Sequence, residues 1–228
     1  MPARIAYFMA STLLAAKAGL RGALPSMQAV VLPPTTDLAA GACLGIPALT
    51  AYHAVTCDDG VSGASVLVAG GAGAVGHYAI QLARLAGAKL VIATVSGPEK
   101  AALAKDAGAD LVINYKTEHV GDACRAATGG AGVDRVIEVD VAANIATDID
   151  AVRPRGDVIA YGSGAPQVSV PFAPAIIKGI RVSFFIVYNL SPLDRASAIA
   201  DLTMLMTEGQ LTHNVAARFP LSSIVQAH

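Results

Sequence analysis

Three glycines, Gly71, Gly73 and Gly76, stand at G-x-G-x-x-G spacing in the stretch VAGGAGAVGHYAI, residues 68–80. At Gly71 and Gly73 this spacing lets a backbone turn sharply and come close to a pyrophosphate, and at Gly76 it lets a helix pack tightly on the preceding strand. The helix that follows would present its free N–H groups and positive dipole end to the anion. Alone the pattern is weak, because a chain with 22 glycines in 228 residues produces such spacings by chance. A second group bears on which nucleotide the turn would hold. About twenty residues on, a carboxylate would bind both hydroxyls of a ribose, yet IATVSGPEK has no acid at 93–96. Ser96 and Lys100 offer instead a hydroxyl and a cation suited to a 2′-phosphate, while Glu99 reads as a first-turn helix acid favoured by the dipole. His77 is a candidate acid by type, but at a helix start it reads as a surface or interface residue.

The elements around the glycines supply the context that the pattern needs. From Ser65 onward, β-branched runs at 65–70, 89–94, 110–115, 134–139, 157–162 and 181–187 alternate with alanine-rich stretches of helical character. Six strands separated by helices predict an α/β fold with a doubly wound parallel sheet covered on both faces, of the Rossmann type. A strand precedes the glycines and a helix follows them, as a dinucleotide turn requires. HYAIQLARLAG ends on Gly87, a C-terminal cap, and GPEKAALAKDAG starts with Pro98 and Glu99 and stops at Gly108. Upstream, TTDLAAGACLGIPALTAYHAV predicts two short helices broken at Gly45–Pro47, with Thr35, Thr36 or Asp37 as caps. Downstream, SPLDRASAIADLTMLMTEG predicts one long amphipathic helix ending at Gly209, and the tail predicts a strand, a proline turn and a helix.

Apolar residues make up 54% of the chain and charged ones 14%, with no apolar stretch read as long enough to span a bilayer. A net charge of -1 without any lysine- and arginine-rich block speaks against nucleic-acid and acidic-membrane partners and favours small-molecule chemistry. Cys43, Cys57 and Cys124 are odd in number and far apart, which argues against a disulfide framework and a structural zinc site and points to a reducing, cytoplasmic compartment. The leading stretch to Ala23 has three basic and no acidic residues, resembling a targeting segment. Its apolar stretch is short and interrupted by Lys17, so it reads as an ordinary leading segment before a targeting one.

The order of LTAYHAV, VLVAGGAGAVGHYAIQLARLAGAKLVIAT, LVINY, GVDRVIEV and FPLSSIVQAH resembles the medium-chain dehydrogenase/reductase superfamily, and within it the quinone oxidoreductase branch that includes zeta-crystallin. The resemblance covers residues 33–228. It implies a central Rossmann domain binding NADPH and a GroES-like catalytic domain formed from both chain ends, of which this chain holds only remnants. The corresponding divisions are an unmatched segment 1–32, a nucleotide-binding unit 33–210 and the start of a returning catalytic segment 211–228. Implied too is a 2′-phosphate site at Ser96, Lys100 and Tyr115, with Ala72, Gly73, Ala74, Val75 and Gly76 along the pyrophosphate. Gly162 and Ser163 would approach the nicotinamide side, and the backbone of Phe185, Ile186 and Val187 would face its amide. Ile186 and Val187 are expected to pack in the core in any case. Thr50 falls where the family brings a helix near the cofactor, and Asn144 is a further candidate because EVDVAAN can be registered in two ways.

Metal-dependent members of the superfamily carry a cysteine ligand four residues before the threonine of this T-x-Y segment. Here that position is Ile46, and no cysteine cluster for a second zinc is present in the sequence. The resemblance therefore implies zinc-independent transfer of hydride from NADPH to a quinone or an α,β-unsaturated carbonyl, acceptors that delocalise charge without a Lewis acid. It also implies a homodimer paired through the edge of the sixth strand. An enoyl-thioester reductase and a catalytically impaired NADPH-binding module are the alternatives. A short-chain dehydrogenase is disfavoured, since no tyrosine has a lysine four residues on. The catalytic residues are not readable, and the chain is expected to lack the family's closing Gly-Lys segment and last strand.

Overall fold

The computed structural model describes residues 5–7 and 29–227, so the readings made for 1–4 and 8–28 lie outside the described residues. Strand β1 (Ile5–Tyr7) pairs antiparallel with β2 (Ala29–Val31). The remaining strands, β3 (Ser65–Val68), β4 (Leu90–Val95), β5 (Leu111–Asn114), β6 (Val133–Glu138), β7 (Val152–Ala160) and β8 (Arg181–Phe184), form one sheet. Its order is β5-β4-β3-β6-β7-β8, and every neighbouring pair is parallel. The six expected strands all form. Strand β7 begins earlier than 157, because Val152 pairs with Val133 before a register shift ahead of Arg135. Strand β8 stops at Phe184, and Val187–Asn189 closes into a 3₁₀ turn.

Side chains alternate across this sheet. Val66, Val68, Val91, Ala93, Ile137 and Ile159 point into one core with α1 (Leu38–Thr56), α2 (Ala74–Leu85), α3 (Pro98–Asp106) and α7 (Pro192–Thr207). Leu67, Ile92, Ile113, Val136 and Val158 point to the other face, toward α4 (Val120–Ala127), and Ala160 packs with α5 (Val141–Ala151) and α6 (Phe172–Lys178). Both faces are covered, which is why these strands are apolar throughout.

The two short helices expected around Gly45–Pro47 are one 19-residue helix, α1, with Pro47 inside it. An interior proline costs about 3 kcal/mol. Leu44, Leu49 and Val55 are 6% exposed or less, and burying each stabilises by about 1.5–3 kcal/mol, so tertiary packing carries the helix through. By length and hydropathy α1 would pass for a membrane span, contrary to the sequence reading, but ten of its residues are buried in the core. Asp37 is its N-cap residue without a side-chain capping bond; its carboxylate pairs with Arg218 at 2.7 Å. Positive φ at Gly87, Gly108 and Gly209 stops α2, α3 and α7 as expected.

The strand expected in the tail is absent. Instead, the extended segment after α7 is held by α2: Gln81 Oε1 accepts from the Thr212 N–H at 2.8 Å and Gln81 Nε2 donates to the Thr212 carbonyl at 3.2 Å. Tyr78 and His213 Nδ1 are hydrogen-bonded at 2.8 Å beside it. A short 3₁₀ turn and a four-residue helix, α8 (Ile224–Ala227), follow the Pro220 turn.

Candidate functional site

The strand order reverses between β3 and β6, and the glycine turn lies there, between β3 and α2. Its tightness explains its residues. Gly70 has φ +66°, and a Cβ at Gly76 would stand 2.3 Å from the Gly70 carbonyl oxygen, a backbone atom that cannot swing aside. A Cβ at Gly71 would meet Ala93 Cβ at 2.7 Å, so this glycine lets the turn lie against β4. Thr94, overlooked in the sequence, anchors the turn from that strand: its hydroxyl accepts from the Gly70 N–H at 3.1 Å and its carbonyl from the Gly71 N–H at 2.9 Å. Gly73 is the N-cap of α2 and supplies no side chain, so nothing caps the first-turn N–H groups at Ala74 and Val75. Gly73 and Ala74 are exposed, Ala72 and Val75 half-buried. The turn fits a pyrophosphate.

The ends of β4 and β5 come together beside it. The Tyr115 N–H donates to the Val95 carbonyl at 3.1 Å, which sets Tyr115 next to Ser96. Lys100 follows in the first turn of α3. Tyr115 is 53% exposed, Lys100 is exposed, and among the described residues no hydrogen bond or ion pair engages the Lys100 ammonium. Three groups that could meet a phosphate monoester thus sit at one corner of the sheet without partners.

Below them lies a cavity of about 650 Å³ lined by Gly70, Thr94, Tyr115, Val139 and Asn144, with Glu138 and Asp148 among the five carboxyl residues on its wall. Asn144 donates to Glu138 Oε1 at 2.9 Å, which fixes its amide. Asp140 accepts from the Ala143 N–H at the start of α5 and from the Gly164 N–H at 2.7 Å. Burial first, and then the nearby Asp140 charge, pushes the Glu138 carboxyl up; burial, followed by the Glu138 charge, pushes Asp148 up to about 9. An acid inside the apolar run RVIEV was the signal in the sequence for this pair.

The other half of the crevice holds the remaining predicted residues. A Cβ at Gly162 would meet the Val139 carbonyl oxygen at 2.2 Å, and the Gly162 carbonyl accepts from the Val141 N–H. The Ser163 hydroxyl donates to the Ala165 carbonyl at 2.7 Å within its own loop. Phe185 packs against His53 with the rings tilted by 59° and their centroids 4.6 Å apart, Val187 is 6% exposed and Thr50 is 4% exposed on α1. Ile186 is not core: it is 49% exposed, because the chain leaves the sheet before it. His77 is also corrected. It is 5% exposed, with Nδ1 3.0 Å from Gln81 Nε2, and burial followed by repulsion from His213 lowers its pKa. It belongs to the clamp on Thr212 and not to the surface.

A parallel sheet of this order with a glycine turn at the reversal defines a Rossmann nucleotide-binding domain. Residues 74–203 match the family of zinc-binding dehydrogenases. A 2-haloacrylate reductase of a Burkholderia species is 36% identical over 171 residues, covering 72% of this chain and 50% of that protein. A quinone oxidoreductase of Pongo abelii is 30% identical over 198 residues, covering 86% of this chain and 60% of its own. A mycobacterial protein solved with NADPH superimposes with a TM-score of 0.82 at 26% identity, covering 90% of this chain and 66% of the other. The chain belongs to the medium-chain dehydrogenase/reductase superfamily, as a quinone-oxidoreductase-like member. It spans about half to six-tenths of the length of these curated relatives. Among the described residues no group of three or more His, Cys, Asp or Glu side chains is placed to hold a metal ion.

Proposed function

We propose that residues 33–210 are the cofactor-binding unit of a zinc-independent, NADPH-dependent oxidoreductase acting on a quinone or an α,β-unsaturated carbonyl. The observation that carries this reading is the corner formed by Ser96, Lys100 and Tyr115, with no carboxylate at 93–96, beside a glycine turn shaped for a pyrophosphate. Bound there, NADPH supplies a hydride from its nicotinamide. The chain's own part is to hold it: the first-turn N–H groups of α2 take the pyrophosphate, Lys100, Ser96 and Tyr115 the 2′-phosphate, and Thr94 keeps the turn against β4. Gly162 and Ser163, with the backbone at Phe185, Ile186 and Val187 and with Thr50 behind them, form the nicotinamide side, and Asn144 lines the crevice between.

Ile46 in place of the ligand cysteine supports metal-free chemistry, and one tightly held zinc per chain in elemental analysis would overturn it. Three unpaired cysteines agree with a reducing cytoplasmic compartment. The homodimer of this reading uses the edge strand β8, where Phe184 is 65% exposed beside Ile177 of α6 at 83%; a single-chain mass in sedimentation would refute it.

Cofactor choice is the test. Charge-assisted hydrogen bonds to a phosphate contribute about 1.5–3 kcal/mol, or one to two decades of affinity. Titration by nucleotide fluorescence is expected to show NADPH bound at least about tenfold more tightly than NADH, and Lys100→Ala to erase most of that gap. Equal affinities, unaltered by the substitution, would refute the reading.

A further inference from the structure

Glu138 is 0% exposed and Asp148 2% exposed, on β6 and α5. One oxygen of Glu138 is well served: Oε1 accepts from the Asp140 N–H and from Asn144 Nδ2. Glu138 Oε2 and Asp148 Oδ2 are buried without a donor from the described residues, although the two carboxyls lie within hydrogen-bonding reach of each other. Two ionised carboxylates side by side out of water repel strongly and leave lone pairs unmet. A single proton solves both problems, since an acid O–H on one carboxyl donates to the bare oxygen of the other.

Among the described residues no side chain offers another solution. Asp140 on the turn after β6 is a further acid, and the Tyr161 hydroxyl, just past β7, is pushed up by burial and then by the Glu138 charge. Tyr115, Glu118, His119 and Asp150 line the cavity beyond. His119 lies 3.5 Å from Asp122. Of the cations on neighbouring helices, Arg125 binds Asp150 at 2.6 Å and Asp122 at 2.5 Å. Lys178 donates to the carbonyls of Ile149, Asp150 and Val152. Among the described residues no counter-ion meets the pair.

We propose that Glu138 and Asp148 hold one proton between them, and that this shared proton positions the turn between β6 and α5 on which nucleotide binding depends. The second half rests on the nucleotide reading above. Glu138 fixes both Asp140 and Asn144; Asp140 in turn holds Gly164, and Val141 holds Gly162. One carboxylate thus organises two of the loops around the crevice. Loss of the proton at alkaline pH sets two charges against each other between β6 and α5 and displaces that turn. The sign follows from linkage: the folded pair retains a proton that the unfolded chain releases in the ordinary carboxylate range, so the stabilisation is complete at acid pH and declines as pH rises toward about 9.

Asp148→Asn and Glu138→Gln test this in the full chain. In Asp148→Asn an amide N–H replaces the acid O–H as donor to Glu138, so the fold is kept while the proton is removed. Infrared spectroscopy at neutral pH is expected to show an un-ionised carboxyl band in the wild type that both variants lack; a wild type without that band overturns the shared proton. Between neutral pH and about pH 10, NADPH affinity is expected to fall by about tenfold more in the wild type than in Asp148→Asn, which shares every other group of the site. Equal declines in the wild type and Asp148→Asn, with the band present in the wild type, overturn the positioning role. Failure to bind NADPH at every pH overturns the nucleotide reading instead, and the infrared band then decides the shared proton by itself.

Discussion

Where the strands begin, polar side chains are paired with one another; where the same strands end, several have no partner. At the beginnings, Asp134 accepts from the Ser65 N–H at 2.7 Å, the Ser65 hydroxyl at 2.6 Å and Arg153 at 2.5 Å, with Lys89 at 3.7 Å. Asp157 takes both Arg181 at 2.7 Å and the buried Arg135 at 3.4 Å, and Asp110 takes Arg84 together with the Val91 N–H. At the ends, the α2 N-terminus is uncapped and, among the described residues, Lys100 is unengaged. The difference separates two uses of polarity in one sheet. Groups at the strand starts satisfy one another and hold the fold, while the α2 N-terminus and Lys100 at the strand ends stay free, in the crevice where open α/β sheets bind ligands.

Substitutions at the two ends should therefore separate stability from binding. The largest stability effect is expected from Arg135→Met. Its guanidinium is 2% exposed and donates to the carbonyls of Ala54, Val55 and Cys57, which would lose their donor. A loss of about 3 kcal/mol in urea denaturation is expected, with NADPH affinity of the folded protein unchanged. A matching loss of affinity would erase the distinction between the ends.

Gly76→Ala is the counterpart at the strand ends. Its Cβ has no way past the Gly70 carbonyl, so an overpacking cost of about 1–3 kcal/mol is expected together with at least a tenfold loss of NADPH affinity in fluorescence titration. Unchanged affinity would show that the turn does not shape the site.

Asp134→Asn sharpens the comparison through pH and carries the smallest effect. Burial alone would raise this acid, but the hydrogen bonds from Ser65 and Arg153 outweigh it and hold the carboxyl at about 2. A depressed carboxylate stabilises above its unfolded value and loses that contribution as pH falls from about 4 to about 2. Thermal melts of the wild type should decline over this acid window, and those of the variant less steeply. Because Asp148 shifts in the opposite sense, the strand starts weaken toward acid and the strand ends toward alkali.

The sheet was readable from sequence because each strand is a β-branched run between glycines and helical stretches, and the order of those runs carried the family resemblance. The glycine turn was readable for the same reason: at Gly71 and Gly76 the lack of a side chain is itself the structural requirement. What escaped depends on residues distant in the chain. Pro47 predicts a break that the packing of Leu44, Leu49 and Val55 overrides. His77 reads in sequence as a surface or interface residue because nothing near it reveals that residues 211–214 cross over α2. Ile186 looked like core because the end of β8 depends on pairing with β7, which breaks off at Phe184. The proton-sharing pair joins residues ten positions apart whose side chains meet only when α5 docks on β6.

Gln81 gives the missing tail strand a physical account. A strand is kept extended by a neighbour that offers one acceptor to its N–H and one donor to its carbonyl. The side-chain amide of Gln81 offers both to Thr212, at 2.8 Å and 3.2 Å, from the flank of a helix. It acts as a single rung cut loose from any ladder, so the crossing segment has its backbone needs met at one point and gains no reason to seek a sheet edge there. The segment therefore crosses the domain on a path pinned, at Thr212, by one residue of the very helix that starts at the glycine turn.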